Sequence, residues 1–282
     1  MSKVLVLGAS SFIGKYFISK YSHANIFRTY NNNKLDNAIQ FNSLSHDLKK
    51  VIPSLNEFES AIIFLGDTKP VSCIENIEQS NKLNVDSIIR IIDCLKEARV
   101  KPIFISSEFV FDGSDGNYSE ESRANPIILY GQQKLVIENY IIENFKEYLI
   151  FRLAKVYGIT KNDNTIFTNW MEHLERNETI LCAEDQRFSP IYVGDVVKVI
   201  YEFCKNKYQG IYHLGGEKAY SRLELLQILI KARRKFKISN INIETCKFNS
   251  FDLGEKWPLD VSMNVAKLKS TYNKLLMTPQ EA

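Results

Sequence analysis

The chain has 282 residues, room for one large domain or two modest ones and for a core that needs no disulfide or metal staples. Hydrophobic residues make up 45% and charged residues 24%, which excludes a largely disordered chain. A net charge of +3 leaves no footprint for nucleic-acid binding, and no apolar run approaches the ~20 residues of a membrane helix.

In chain order, Val4–Leu7 reads as a buried strand, residues 12–21 as a helix, 25–30 as a second strand and 38–41 as a short third. Residues 44–55 are predicted helical and 61–65 a fourth strand. The long stretch 75–98 carries Ile88, Ile89, Ile91, Ile92 and Leu95, the stripe of one packed helix. Residues 102–105 form a fifth strand, 129–145 a helix and 148–153 a sixth strand. Such alternation means βαβ units, and the right-handed crossover rule makes a Rossmann-type, doubly wound parallel sheet the expected α/β fold.

After Gly158 the rhythm breaks. Residues 161–165 are polar and 167–174 amphipathic, while a helix at 196–204 and a strand at 211–214 suit a return to the sheet. Ser221 and Glu224 have capping-box spacing and open a helix through Ile230. The expectation is a first unit over residues 1–157 and a smaller, interleaved C-terminal lobe over 158–282, with segments near 190–215 rejoining the sheet.

Gly8-Ala9-Ser10-Ser11-Phe12-Ile13-Gly14 lies between the first strand and the first helix with the spacing of a dinucleotide fingerprint. Ser11 stands where the middle glycine is usual. The first glycine permits the tight turn, the last permits close helix–strand packing, and the helix N-terminus offers free N–H groups to a pyrophosphate. The second strand ends in Phe27-Arg28-Thr29-Tyr30-Asn31, with no acid to accept a ribose 2′-hydroxyl. The Arg28 guanidinium suits a 2′-phosphate, which favours NADP; NAD is the alternative if Arg28 is only a solvated edge residue.

Tyr130 and Lys134 are four apart, so on a helix the phenol and the ammonium share one face. A free phenol titrates near ~10, and a neighbouring cation lowers that value toward useful acid–base work. The alternative is an interfacial tyrosine and a solvent lysine paired with Glu138. Ser107 leaves the fifth strand at the carboxyl edge of the sheet, where its hydroxyl can polarise a carbonyl.

With these residues in place, the sequence resembles the extended short-chain dehydrogenases/reductases, and within them the dTDP-4-dehydrorhamnose reductase-like branch. The likeness covers nearly the whole chain. It is carried by Phe104-Ile105-Ser106-Ser107-Glu108-Phe109-Val110-Phe111-Asp112-Gly113, by Tyr130 and Lys134, and by Phe151-Arg152-Leu153-Ala154-Lys155-Val156-Tyr157-Gly158. Ser189-Pro190-Ile191-Tyr192-Val193-Gly194-Asp195-Val196 and Gly210-Ile211-Tyr212-His213-Leu214 match two later landmarks, and Asn84 resembles the family's helical asparagine.

The resemblance implies a reductase of a nucleotide-linked 4-keto-6-deoxy sugar. Tyr130 would protonate the keto oxygen, Lys134 would lower the tyrosine's pKa and hold the nicotinamide ribose, and Ser107 would bond the oxyanion. Residues 1–157 would hold the cofactor through Gly8, Ser10, Ser11, Phe12, Ile13, Gly14, Arg28, Asn42, Leu65, Gly66, Asn84, Tyr130 and Lys134. Glu108, Phe109, Arg152, Lys155 and Arg187 would meet a nucleotide-diphosphate sugar. Three departures point away from dTDP-rhamnose itself: Phe109 where an aromatic hydroxyl is usual, Lys155 in place of a tryptophan, and Trp257-Pro258 in place of an arginine–proline pair.

Other features weigh as follows. Arg187 offers either a diphosphate clamp or an ordinary ion pair. The run Lys231-Ala232-Arg233-Arg234-Lys235-Phe236-Lys237 reads as a solvated helix end, with phosphate contact the alternative. His23, His46, His173 and His213 show no ligand spacing, so no metal site is expected. Five scattered cysteines without a C-x-x-C pair read as thiols of a reducing compartment. The early strand leaves no room for a signal peptide, so a cytoplasmic protein is expected, with a homodimer left open. The rivals to a reductase are an epimerase on the same scaffold and a non-catalytic NADP-binding regulatory subunit.

Overall fold

The computed structural model describes residues 3–22, 25–234 and 242–282. Apolar strands with period-2 alternation build its central layer. In β1 (Val4–Leu7), Leu5 and Leu7 face one side of the sheet and Val6 the other. The first half continues with α1 (Phe12–Lys20), β2 (Ile26–Tyr30), β3 (Ile39–Gln40), α2 (Leu48–Val51), β4 (Ser60–Ile63), α3 (Pro70–Glu75), α4 (Ile77–Asn81), α5 (Ser87–Ala98), β5 (Lys101–Ser107), α6 (Leu129–Asn144) and β6 (Leu149–Leu153). Then come β7 (Val156–Tyr157), α7 (Ile166–Glu175), β8 (Ile180–Ala183), β9 (Arg187–Phe188), β10 (Ile191–Tyr192) and α8 (Val193–Lys205). The last elements are β11 (Gly210–Leu214), β12 (Tyr220–Ser221), α9 (Arg222–Arg234), β13 (Ile243–Cys246) and α10 (Ala266–Thr271).

Seven strands form one parallel sheet in the order β11-β6-β5-β4-β1-β2-β3, a Rossmann-type doubly wound α/β fold. Val6, Ile62, Ile103 and Phe151 pack against α1 and α8 through Phe17, Val196, Ile200 and Phe203. Leu5, Ile63, Phe104 and Ile150 pack on the other face against Ile88, Ile92 and Leu95 of α5 and Ile137 and Ile141 of α6. The order reverses between β1 and β4, which opens a crevice at the carboxyl edge. β11 pairs with β6 from Gly210 to Leu214. A separate cluster gathers Tyr157, Phe167, Trp170, Leu225 and Leu226.

Two expected helices differ. Residues 44–55 give only the short α2, capped by Asp47, followed by a single 3-10 turn, because Pro53 disfavours helical geometry at Ile52. The expected continuous helix over 75–98 is broken at Asn76 (φ −142°), whose side chain caps α4. A π-helical turn, Lys82–Asp86, then joins α4 to α5. Periodicity missed the break because the apolar stripe belongs to α5 alone. No described helix is long and apolar enough to cross a membrane.

Candidate active site

Gly8 closes β1 at φ +82°, and its N–H donates to Thr29 Oγ1 at 3.1 Å. The end of β2 thereby braces the fingerprint turn, a support that a lone threonine in an apolar strand does not announce. Ser11 caps α1 by accepting from the Gly14 N–H at 3.1 Å, which leaves the Ser11 hydroxyl proton free to donate. A Cβ on Gly14 would stand 2.7 Å from the Gly8 oxygen, so only glycine lets helix and strand approach this closely. Ser10, Phe12 and Ile13 complete the turn and open α1. Arg28 lies on β2 in register with Val6, its Nε buried and without a partner among the described residues. The glycine cradle and the orphaned guanidinium nitrogen fit a phosphorylated dinucleotide.

Leu65 and Gly66 leave β4 at the same edge. A Cβ on Gly66 would stand 2.8 Å from Asn84 Oδ1. Asn84 is buried in the π-turn; its Oδ1 accepts from the Asp67 N–H at 2.7 Å and its Nδ2 donates to the Asp67 carbonyl and to Gln133 Oε1. Its amide is thus committed to the β4 exit loop, and Asn84 positions the loop instead of reaching toward a cofactor. Gln133 also donates to Ser80 and Asn81, tying α6 to α4. Only the tertiary fold reveals that link, because in sequence Gln133 is one polar residue inside the Tyr130–Lys134 spacing. Asn42 accepts from the Leu44 N–H in a tight turn after β3.

Ser107 ends β5, and Tyr130 and Lys134 lie one turn apart on α6, all three buried. Lys134 Nζ donates to the Ile105 carbonyl at 2.9 Å and stands 5.5 Å from the Tyr130 ring centroid. Burial, with the nearby Cys73 adding to it, pushes the Tyr130 phenol up; a hydrogen bond with Ser107 acts in the opposite direction and is outweighed. The expected lowering of the phenol by Lys134 is therefore corrected. Lys134 is held by a backbone carbonyl and is itself pushed down to about 8 by burial.

Beyond Ser107, Glu108 is only 3% exposed and its Oε2 has no partner among the described residues. Burial raises its pKa, and the neighbouring Lys155 opposes that rise. Phe109 packs edge-on between Tyr130 (6.3 Å) and Trp257 (5.4 Å), so an apolar wall replaces a polar contact.

Two expected substrate contacts go elsewhere. Arg152 is 5% exposed and forks onto Glu138, with Nη2–Oε2 at 2.7 Å and Nε–Oε2 at 3.1 Å, while Ser106 donates to the same carboxylate. It is spent inside the sheet layer, since a buried guanidinium needs its carboxylate. Arg187 takes the ion-pair alternative, lying 3.4 Å from Glu224 and 3.8 Å from Asp260. Of the basic run, Lys231 is exposed on α9, while Lys235, Phe236 and Lys237 lie outside the described residues, as does His23.

The crevice thus has a fingerprint turn on one wall and a Ser–Tyr–Lys set at the end of the neighbouring strands, at the carboxyl edge of a Rossmann-type α/β sheet. The chain belongs to the RmlD substrate binding domain family, whose profile matches residues 2–282. It is similar to dTDP-4-dehydrorhamnose reductase from Bacillus anthracis, solved in complex with NADP (TM-score 0.85, 19% identity, 99% of this chain and 96% of that one). It is also similar to UDP-glucuronic acid 4-epimerase from Bacillus cereus, solved with UDP-glucuronic acid and NAD (TM-score 0.81, 17% identity, 99% and 96%). Among curated relatives, methionine adenosyltransferase 2 subunit beta of Xenopus tropicalis is 30% identical over 130 residues. That match spans 44% of this chain and 39% of the relative.

Proposed function

We propose that the protein is an NADP-preferring reductase of a nucleotide-linked 4-keto-6-deoxy sugar. The observation that carries the reading is the meeting of Ser107, Tyr130 and Lys134 at the sheet edge that also holds the Gly8 turn. Reduced nicotinamide, when bound, supplies the hydride. Tyr130 gives its proton to the keto oxygen, and the Ser107 hydroxyl donates to the developing oxyanion. The Lys134 ammonium, anchored by the Ile105 carbonyl, holds the nicotinamide ribose. Arg28 supports NADP over NAD because its free nitrogen can meet a 2′-phosphate. Phe109 and the buried Glu108 line the sugar side.

The name of the Xenopus relative supports a second reading, a non-catalytic NADP-binding subunit. An epimerase is the third, on the likeness to the Bacillus cereus enzyme. NADPH oxidation against a panel of 4-keto sugar nucleotides separates the three. A reductase releases NADP⁺ in step with substrate loss, and Tyr130→Phe abolishes the signal. Turnover without net change in cofactor replaces the reading with an epimerase. Biological activity that survives Tyr130→Phe replaces it with the binding subunit.

A further inference from the structure

Helix α6 carries Tyr130, Lys134 and Glu138 one turn apart, all three buried. Its apolar residues do not dictate this rotation. Ile137 and Ile141 are fully buried, yet their neighbours Val136 and Ile142 are exposed. Turned back by one residue, the same helix would bury Leu129, Val136, Ile137 and Tyr140 and no charged side chain. Apolar burial alone therefore favours the wrong rotation, which swings Tyr130 about 100° round the helix axis and off the β5 exit.

Contacts with β5 and β6 oppose that turn. At the helix start, a Cβ on Gly131 would collide with the Phe109 carbonyl oxygen, so α6 lies tight against the β5 exit there. One turn on, Lys134 Nζ donates to the Ile105 carbonyl at 2.9 Å. One turn further, the Glu138 carboxylate accepts from Ser106 and from Arg152, whose Nη2 and Nε stand 2.7 and 3.1 Å from Oε2. Ser106 and Arg152 are partners in register on β5 and β6, so Glu138 is gripped from two strands at once. Well-packed apolar residues would hold the layers together as firmly as this ion pair. What the pair adds is discrimination, because any rotation that separates it leaves two buried charges unpaired.

We infer that Glu138, gripped by Arg152 and Ser106, is a positioning residue that sets the rotation of α6 and so aims Tyr130 at Ser107. The inference rests on the reductase reading for what Tyr130 then does.

The test exchanges the pair for apolar side chains of similar size, Glu138→Leu together with Arg152→Met, in the full chain. Urea unfolding of this double variant should stay cooperative, with a midpoint at or above that of the wild type. The ring resonances of Tyr130, followed in isotope-labelled protein and identified by their loss in Tyr130→Phe, should be single in the wild type and shifted, split or broadened in the double variant. Turnover of the 4-keto sugar nucleotide should fall about ten- to a hundredfold while KM and NADP affinity are unchanged. Adding Val136→Gln to the double variant makes the wrong face polar and should restore the wild-type resonances. Resonances and turnover that match the wild type in the double variant overturn the inference, as does failure of Val136→Gln to restore them. Loss of the cooperative transition also overturns it, because the pair then serves stability alone. If the wild type turns over no 4-keto sugar nucleotide, the reductase reading fails while the Tyr130 resonances still decide the rotation.

Discussion

On the cofactor side of the crevice, Asn84 is hydrogen-bonded to Asp67 and Gln133, Ser11 to Gly14, and Gly8 to Thr29. On the side walled by Phe109 and Trp257, Glu108, Arg222, Glu255 and Trp257 each keep a buried polar atom without a partner among the described residues. The first wall is hydrogen-bonded within the protein, and the second keeps unpaired buried atoms. A fully satisfied polar network is rigid, so the cofactor wall presents fixed backbone groups. An orphaned buried polar atom carries a desolvation cost that a matching ligand atom removes, so under the proposed reading the second wall would draw selectivity from that cost. Arg28 is the exception on the cofactor side, and it sits where a 2′-phosphate would complete it.

The comparison is tested most severely where the two walls meet. Tyr130→Phe should lower turnover by about a hundred- to ten-thousand-fold while NADPH binding, followed by fluorescence, stays within a few-fold. A parallel loss of cofactor binding would mean that the walls are not separable at this residue. Next in size, Glu138→Ala should destabilise the fold by about 3–5 kcal/mol in urea unfolding, because it leaves Arg152 charged and unpaired beneath the sheet. A loss of substrate affinity at unchanged stability would return Arg152 to the substrate contacts.

Asn84→Ala should cost about 1–3 kcal/mol of stability and weaken NADPH binding, since the Asp67 N–H loses its acceptor. Stability unaffected by the change would show that the cofactor wall is less preorganised than its hydrogen bonds indicate. A pH series sharpens the same wall. Burial pushes the Lys134 ammonium down to about 8, so its charge is present below that pH and is lost as the pH rises through it. Cofactor affinity should therefore fall across that window in the wild type and stay flat in Lys134→Met. The smallest effect is expected for Arg28→Ala, which should narrow the preference for NADP over NAD by about tenfold in paired titrations.

Much of the fold and part of the site are legible in the amino-acid sequence. Strand β1 follows from its continuous apolar run and the Tyr130–Lys134 spacing from the 3.6-residue period, both of which act over a few residues. The capping box of Ser221 and Glu224 also forms as its spacing predicts, at 2.6 and 3.1 Å. The break at Asn76 and the π-turn holding Asn84 are not legible, because the apolar stripe of α5 hides a polar prefix that tertiary bonds to Asp67 and Gln133 hold in place. The resemblance puts Arg152 among the substrate contacts, yet its side chain turns back to Glu138 on α6. Arg222 gives no signal, being an ordinary charged residue at a helix start.

By itself, the sequence determined the alternation of strands and helices in residues 1–157, the fingerprint turn and the Tyr130–Lys134 spacing, since each depends on neighbours within a few positions. Tertiary structure alone decided which charges are consumed and which stay free. Arg152 and Arg187 find carboxylates from distant segments, while the Arg222 side chain makes no ion pair with a described residue. The physical reason is that a charge's partner is set by long-range packing and desolvation, which no local spacing encodes.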